Sequence, residues 1–185
     1  MRLNAKSKSA QANAHFSLGL DSLLRFREEP DNPAVLNEAE RDLTIALEQD
    51  PAFLPAVYYR GVVRQLKGDN DLAISDLANV IESKSPFKNE ARFNLAVARY
   101  HKFHRADLEE AESQFETVLK SKAISKQLRL QIMVSLAQVY GQLMIQKNPE
   151  HPNLEEIHEN YPDLSVTAIQ QLISFAHSHR VQRTP

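Results

Sequence analysis

The sequence predicts an all-α protein built of stacked antiparallel helical hairpins, and three observations carry that prediction. The spacing Ala-x-x-x-Leu/Phe closes an amphipathic stretch at Ala39/Leu43, Ala73/Leu77 and Ala111/Phe115. Each of these is preceded by a run centred on a small residue, at Gly19, Gly61 and Ala96. The recurrence has a period in the thirties or forties, which marks a stacked-repeat array. Such arrays work through their surfaces, so the expected role is binding.

The first unit, 11–50, holds His15-x-x-Leu18-Gly19 and then Ala39-x-x-x-Leu43-x-x-Ala46, closed by Asp50-Pro51. About eight extra residues separate its helices, and they fall in Arg27–Pro33, where REEPDNP has the composition of a loop. The second unit, 51–86, is the fullest. Its first helix is expected from Pro55 to Lys67 with Gly61 at the middle, Gly68-Asp69 makes the turn, and the second helix runs from Asp71 to Glu82. The third unit, 87–123, has Phe93-Asn94-Leu95-Ala96 and Ala111-x-x-x-Phe115-x-x-Val118, with a lengthened turn near His104–Asp107. The fourth, 124–179, is irregular. Leu136-Ala137-x-x-Tyr140 supplies its first helix, and Ala168-x-x-x-Leu172-x-x-Phe175 supplies a second, capping helix after a long insertion. Polar tails at 1–10 and 180–185 complete a single helical-repeat domain over 1–185.

Small residues at Gly19, Gly61, Ala96 and Ala137 let the partner helix of each hairpin come close, at ridges-into-grooves distances. Leu43, Leu77 and Phe115 then fill the space around that contact. One hairpin cannot bury its apolar face alone, so at least three must share a core.

The turn sequence Lys67-Gly68-Asp69-x-Asp71-x-Ala73-Ile74, with Gly61, Leu77 and Pro86 around it, resembles the tetratricopeptide repeat. The chain departs from that pattern in two ways. His15, Val57, Arg92 and Met133 stand where the large initial aromatic belongs, and Ser22, Arg64 and Arg99 replace the tyrosine. The resemblance implies a right-handed superhelical solenoid of three repeats plus a partial fourth. It also implies a concave groove lined by first helices, at Phe16, Leu20, Tyr58, Val62, Gln65, Phe93, Val97, Tyr100, Val134 and Gln138. These positions are mainly apolar or aromatic, which suits an amphipathic helix or extended peptide with hydrophobic anchors. Side chains packed only between helices, or a groove filled by the chain's own Leu164–His177, are the competing readings.

The clamp by which related co-chaperones hold an acidic tail is not expected. Its matching positions are Phe16, Leu20, Tyr59, Glu90 and Asn94, with no Lys or Arg among them. Arg60, Arg64, Arg92 and Arg99 lie on the same helices outside those slots. Their ordinary use is pairing with Asp or Glu of adjacent hairpins; at the groove's rim they would favour an acidic flank on a ligand.

The 185 residues suit one domain, and no cysteine is present to form a disulfide or a thiolate metal site. A formal net charge of -2 gives no reason to expect nucleic acid. No apolar run approaches a membrane span of roughly 18 residues. The opening MRLNAKSKSAQANAH lacks the apolar core of a secretory signal, so the expected location is cytoplasmic.

Charge is uneven along the chain. Lys120, Lys122, Lys126 and Arg129 form a basic run, while 148–179 contains Glu150, Glu155, Glu156, Glu159 and Asp163 and no Lys or Arg. The basic run suits an acidic partner, but the preferred reading is that Lys120 and Lys122 end a helix, where cations complement the dipole, and that the rest is a solvated face. The pair His101/His104 and the group Glu155, His158, Glu159 have spacings a divalent ion could use. Neither is a recognised metal motif, so surface histidines and no metal or cofactor are expected. Nothing resembles a phosphate-cradling loop, and no nucleophile arrangement is signalled.

The sequence therefore points to a non-catalytic interaction module or adaptor with a protein or peptide ligand. The alternative is a helical regulatory or structural region of a larger enzyme or multi-subunit assembly. An apolar groove also favours self-association, so a homodimer is among the expected assemblies. The insertion KNPEHPNLEEIHENYPD, 147–163, is expected to cover the end of the array and to bury Ile157 and Tyr161 against the fourth hairpin.

Overall fold

A computed structural model describes residues 6–83, 85–122 and 124–147, and among these every regular element is an α-helix. Seven helices follow one another: α1 (Ala10–Glu28), α2 (Ala34–Gln49), α3 (Leu54–Lys67), α4 (Asn70–Glu82), α5 (Lys88–Tyr100), α6 (Arg105–Leu119) and α7 (Lys126–Lys147). The expected second helix of the fourth unit, the cap at 164–177 and the insertion from 148 onward lie outside the described residues. The chain divides at Ala98/Arg99, within α5, into two compact units.

In the first unit, α1 is opened by Ser9, whose Oγ accepts from the backbone N–H of Ala12 at 3.2 Å. That bond satisfies one of the orphan donors of the first turn. Arg25 and Arg27 lie in its last turn, where cations complement the dipole, and α1 continues to Glu28. The connection to α2 is thus shorter than the loop expected over 27–33. Pro55 occupies the first turn of α3, where its missing N–H costs nothing.

The end of α3 is set by Gly68 at φ 85°, a left-handed conformation that side chains resist. Its N–H donates to the Gln65 carbonyl at 3.1 Å and that of Asp69 to Arg64 at 2.9 Å, closing the last turn. The observed α3 and α4 each begin one residue before the positions expected from the sequence.

Helices α1 and α2 pack as one hairpin and α3 and α4 as the next, with α2 against α3. A methyl group placed on Gly19 would lie 2.7 Å from Leu43 Cγ, and one on Gly61 2.9 Å from Leu77 Cγ. Both leucines are fully buried. The two small residues are therefore the points of closest helix approach, as their positions in the repeat predict. Around them runs one core that takes in Phe16, Leu36, Phe53, Ala73, Phe87 and Leu95.

In the second unit, α6 packs on α7. The turn before α6 falls at His101–His104, earlier than the expected His104–Asp107. His104 is already the extended N-cap, and Asp107 sits in the first helical turn, where its charge suits the dipole. Phe103 takes a left-handed φ of 58°, and its carbonyl accepts from Gln146 Nε2 of α7 at 3.0 Å. Ser125 Oγ accepts from the Leu128 N–H at 3.1 Å at the start of α7. Lys120 is the C-cap of α6, at the helix end the sequence expects for Lys120 and Lys122, and Arg129, expected only on a solvated face, donates from Nη1 to the Leu119 carbonyl at 3.3 Å.

Candidate interaction face

On α3, Tyr58, Val62 and Gln65 share one side, because at 3.6 residues per turn they fall within about 60° of each other around the axis. All three are half-buried. The Tyr58 ring lies 5.1 Å from Tyr59 and 5.3 Å from Phe87, centroid to centroid. Its hydroxyl accepts from Asn94 Nδ2 of α5 at 3.0 Å, and the same amide donates to the Glu90 carbonyl at 2.9 Å. This bond links α5 to α3, and Phe93 and Val97 are half-buried on α5. Burial first, then the neighbouring Tyr59 and Glu90, push the Tyr58 phenol far above its ordinary range against the opposing pull of Asn94, so it stays protonated. Burial pushes Tyr59 up as well.

On α1, Phe16 is buried, its ring 4.9 Å from Phe53 and 5.8 Å from Tyr59. Leu20, one turn on, is half-buried against the core. The sequence-predicted positions of the first unit thus comprise Phe16, committed to packing, and six half-buried side chains on α1, α3 and α5. Tyr59, Phe53 and Phe87, which hold the aromatic cluster together, carry no repeat signature of their own and were not legible as a group.

The opposite side of α3 is ionic. Arg60, Arg64 and Lys67 are displaced by roughly 180–240° from Tyr58 around the axis. Arg60 grips Asp76 of α4 with two bonds, Nε to Oδ2 at 2.9 Å and Nη2 to Oδ1 at 2.8 Å. Arg64 reaches both neighbours, with Nη1 on Asp76 Oδ2 and Nε on Glu40 Oε1 of α2, each at 2.8 Å. Lys67 Nζ adds a bond to Glu40 Oε2 at 2.6 Å. Burial alone would raise the Glu40 pKa, but the bonds and charges of Lys67 and Arg64 outweigh it and hold the carboxyl below its ordinary range. The Lys67 ammonium is pushed up, first by its bond to Glu40. Arg64 thus reaches the adjacent hairpin through Glu40, the first of the two expected uses, whereas Arg60 pairs within its own hairpin, with Asp76.

In the second unit, Tyr100 is half-buried and its hydroxyl bonds to the buried Gln142 of α7. Burial pushes its phenol up, with Gln142 pulling the other way. Gln142 and Gln146, one turn apart on α7, thus hold the residues around the turn at Tyr100 and Phe103. Val134 and Gln138 lie one turn apart on α7, Val134 exposed and Gln138 half-buried. Leu130, one turn before Val134, is more exposed still at 63 %. It went unnoticed in the sequence because it precedes the repeat signature, although its i,i+4 relation to Val134 would have revealed it.

No group of three or more His, Asp or Glu side chains able to hold a metal ion occurs among the described residues. His101 is exposed, its ring 5.4 Å from Tyr100, and His104 is exposed at the α6 N-cap. The Glu155, His158, Glu159 group lies outside the described residues. No described helix is long and apolar enough to cross a membrane. The chain matches no protein-family model, and no curated protein matches it in sequence.

Proposed function

We propose that the chain is a non-catalytic protein-interaction module of the tetratricopeptide type, which binds a helix or extended peptide with hydrophobic anchors across first helices of a superhelical array. The observation that supports this most is the tie between Tyr58 and Asn94. It links α3 to α5, and Val62, Phe93 and Val97 are half-buried on those two helices, a pattern suited to a groove that takes apolar side chains. The ionic groups of α3 sit on the other side and are already paired, which favours recognition by apolar contact over recognition of a carboxylate tail.

The test is affinity capture from the native cell with wild type and with Val62→Glu and Val97→Glu variants. Mass spectrometry reads the captures, and far-UV circular dichroism checks each fold. The expected result is a partner retained by wild type and lost from both variants at unchanged helicity. Identical captures from three folded proteins would overturn the proposal. Unfolding of both variants would show that these side chains are packing residues and would equally remove the face.

A further inference from the structure

From Phe16 on α1 and from Tyr58 on α3 the i,i+4 ridges run through Leu20 to Leu24 and through Val62 to Leu66. Leu24 and Leu66 stand five residues past Gly19 and Gly61, the same place in consecutive hairpins, and each is 44 % exposed. The two helices meet where the Phe16 ring lies 5.8 Å from Tyr59, so both ridges start from one aromatic contact. A pair of aliphatic ridges suits the apolar anchors of the peptide partner proposed above.

At the aromatic end of these ridges one charge is unsatisfied. Glu90 is half-buried in the first turn of α5, and its backbone carbonyl accepts from Asn94, the residue that also binds the Tyr58 hydroxyl. Its carboxylate has no hydrogen bond or ion pair among the described residues, although its charge is felt at the Tyr58 phenol. The helix dipole favours an acid in a first turn, but that effect requires no half-buried place against an aromatic cluster. Lys88 and Arg92 stand two residues away, about 160° round the helix, and the cations of α3 are already engaged by Asp76, Glu40 and Asp69. Tyr59 is half-buried with its ring 5.1 Å from Tyr58, and its hydroxyl too has no partner among the described residues. A free carboxylate beside tyrosine rings takes a Lys or Arg side chain, through a charge-assisted bond and a cation–π contact.

We propose that the partner of the first unit is a basic amphipathic peptide, in which a Lys or Arg meets Glu90 beside the Tyr58 and Tyr59 rings while aliphatic side chains cover Leu24 and Leu66. Tyr58 and Leu66 are eight residues apart, about 12 Å along α3 at about 1.5 Å per residue. The basic residue of the ligand is therefore about seven or eight positions from the aliphatic ones in a helical peptide, or about four in an extended one at about 3.3 Å per residue. This inference rests on the reading of the first unit as a peptide groove and adds the charge of what occupies it.

The test is a random-peptide display selection on the full chain, read by sequencing and followed by fluorescence anisotropy with the recovered peptides. Wild type is expected to enrich Lys or Arg at those spacings from Leu, Ile or Val. Glu90→Gln should weaken the recovered peptides about tenfold or more, the scale of losing a hydrogen-bonded charge pair. A selection on Glu90→Lys should recover Asp or Glu in place of the basic residue. Circular dichroism checks each fold, and the wild-type selection reads the charge preference without any variant. Recovered peptides with no basic enrichment, affinities unchanged in folded Glu90→Gln, or no recovered peptide at all would each overturn the proposal. Peptides that bind Val62→Glu as tightly as wild type would overturn the groove reading itself, whereas peptides lost from Val62→Glu but indifferent to Glu90 would overturn only the charge.

Discussion

Gly61→Ala should destabilise the protein, although alanine is the better helix former. In an exposed helix interior the exchange gains about 1 kcal/mol. Here the new methyl would lie 2.9 Å from Leu77 Cγ, 3.1 Å from Leu77 Cδ2 and 3.3 Å from Asp76 Cβ. The branch carbon of a fully buried leucine cannot swing aside as a side-chain tip would. Asp76 is pinned by Arg60 and Arg64, so the backbone of α4 resists moving as well. Overpacking of this kind costs about 1–3 kcal/mol, which leaves a net loss of up to about 2 kcal/mol after the propensity gain. Gly19→Ala, at 2.7 Å from Leu43 Cγ, should cost more. The decisive measurement is a double-mutant cycle by urea denaturation. Leu77→Ala alone should cost about 2–5 kcal/mol, and in that background Gly61→Ala should turn stabilising, giving a coupling of about 1–3 kcal/mol. If Gly61→Ala raised stability by about 1 kcal/mol in the wild-type background, the close-approach argument would be wrong.

Asp76→Ala strands Arg60 and half of the Arg64 pairing; it should cost about 3 kcal/mol, the low end for a buried pair because the guanidinium groups retain some solvent, and urea titration reads it. The depressed Glu40 pKa means that its stabilising contribution is present above the ordinary value of 4.5 and lost as pH falls through the lower folded-state value. Glu40→Gln should accordingly flatten the acid limb of a melting-temperature profile below that pH, and an unchanged limb would remove the Lys67–Glu40–Arg64 bridge from the account. Glu112 is pushed up by burial first, then by Glu116 and Glu109, so its ionised form opposes folding once pH rises through the folded-state value. Glu112→Gln should stabilise the protein at neutral pH by about 0.2–0.5 kcal/mol for each repulsive helical neighbour removed, with little gain at pH 3. Phe103→Gly relieves a left-handed φ but forfeits ring contacts with Tyr100 and His101. Phe103→Asn, which tolerates that φ, separates the two effects, since a gain for glycine alone would show that the rings contribute little.

The hairpins were legible because the repeat writes its closest contact into residue types. Only a small side chain fits at Gly19 or Gly61, and Leu43 or Leu77, four residues after an alanine, fills the space beside it. Helix ends governed by local chemistry, such as Gly68, could be read to within one residue. The α5–α6 turn could not, because a left-handed Phe103 is unfavourable locally and is held by Gln146 from another helix 43 positions away. The candidate face was legible as positions but not as partners. That Phe16 is spent on Phe53 and Tyr59, or that the Tyr58 hydroxyl belongs to Asn94, depends on neighbours one or two helices distant in the chain.

Comparison of the first two hairpins separates what the scaffold must conserve physically from what it leaves free. The residue before each packing leucine is a buried aspartate, Asp42 before Leu43 and Asp76 before Leu77. Asp76 is met by two guanidinium groups. Asp42 is met by His15 Nδ1 at 3.2 Å and, more distantly, by Arg41 at 3.5 Å, because Leu18 and Ser22 stand where the second hairpin has Arg60 and Arg64. In both hairpins the close helix contact has a carboxylate beside it met by a cross-helix donor, and the donors differ. What differs in consequence is reach: Arg64 also takes Glu40, so the second hairpin is bolted to the first through α2, whereas His15 ties only α1 to α2. With register fixed by charges on one side of α3, the Tyr58–Val62–Gln65 side carries no ionic part of the scaffold. That division of labour leaves Val62 and Gln65 half-buried on a side of α3 whose packing is carried by the Tyr58 ring.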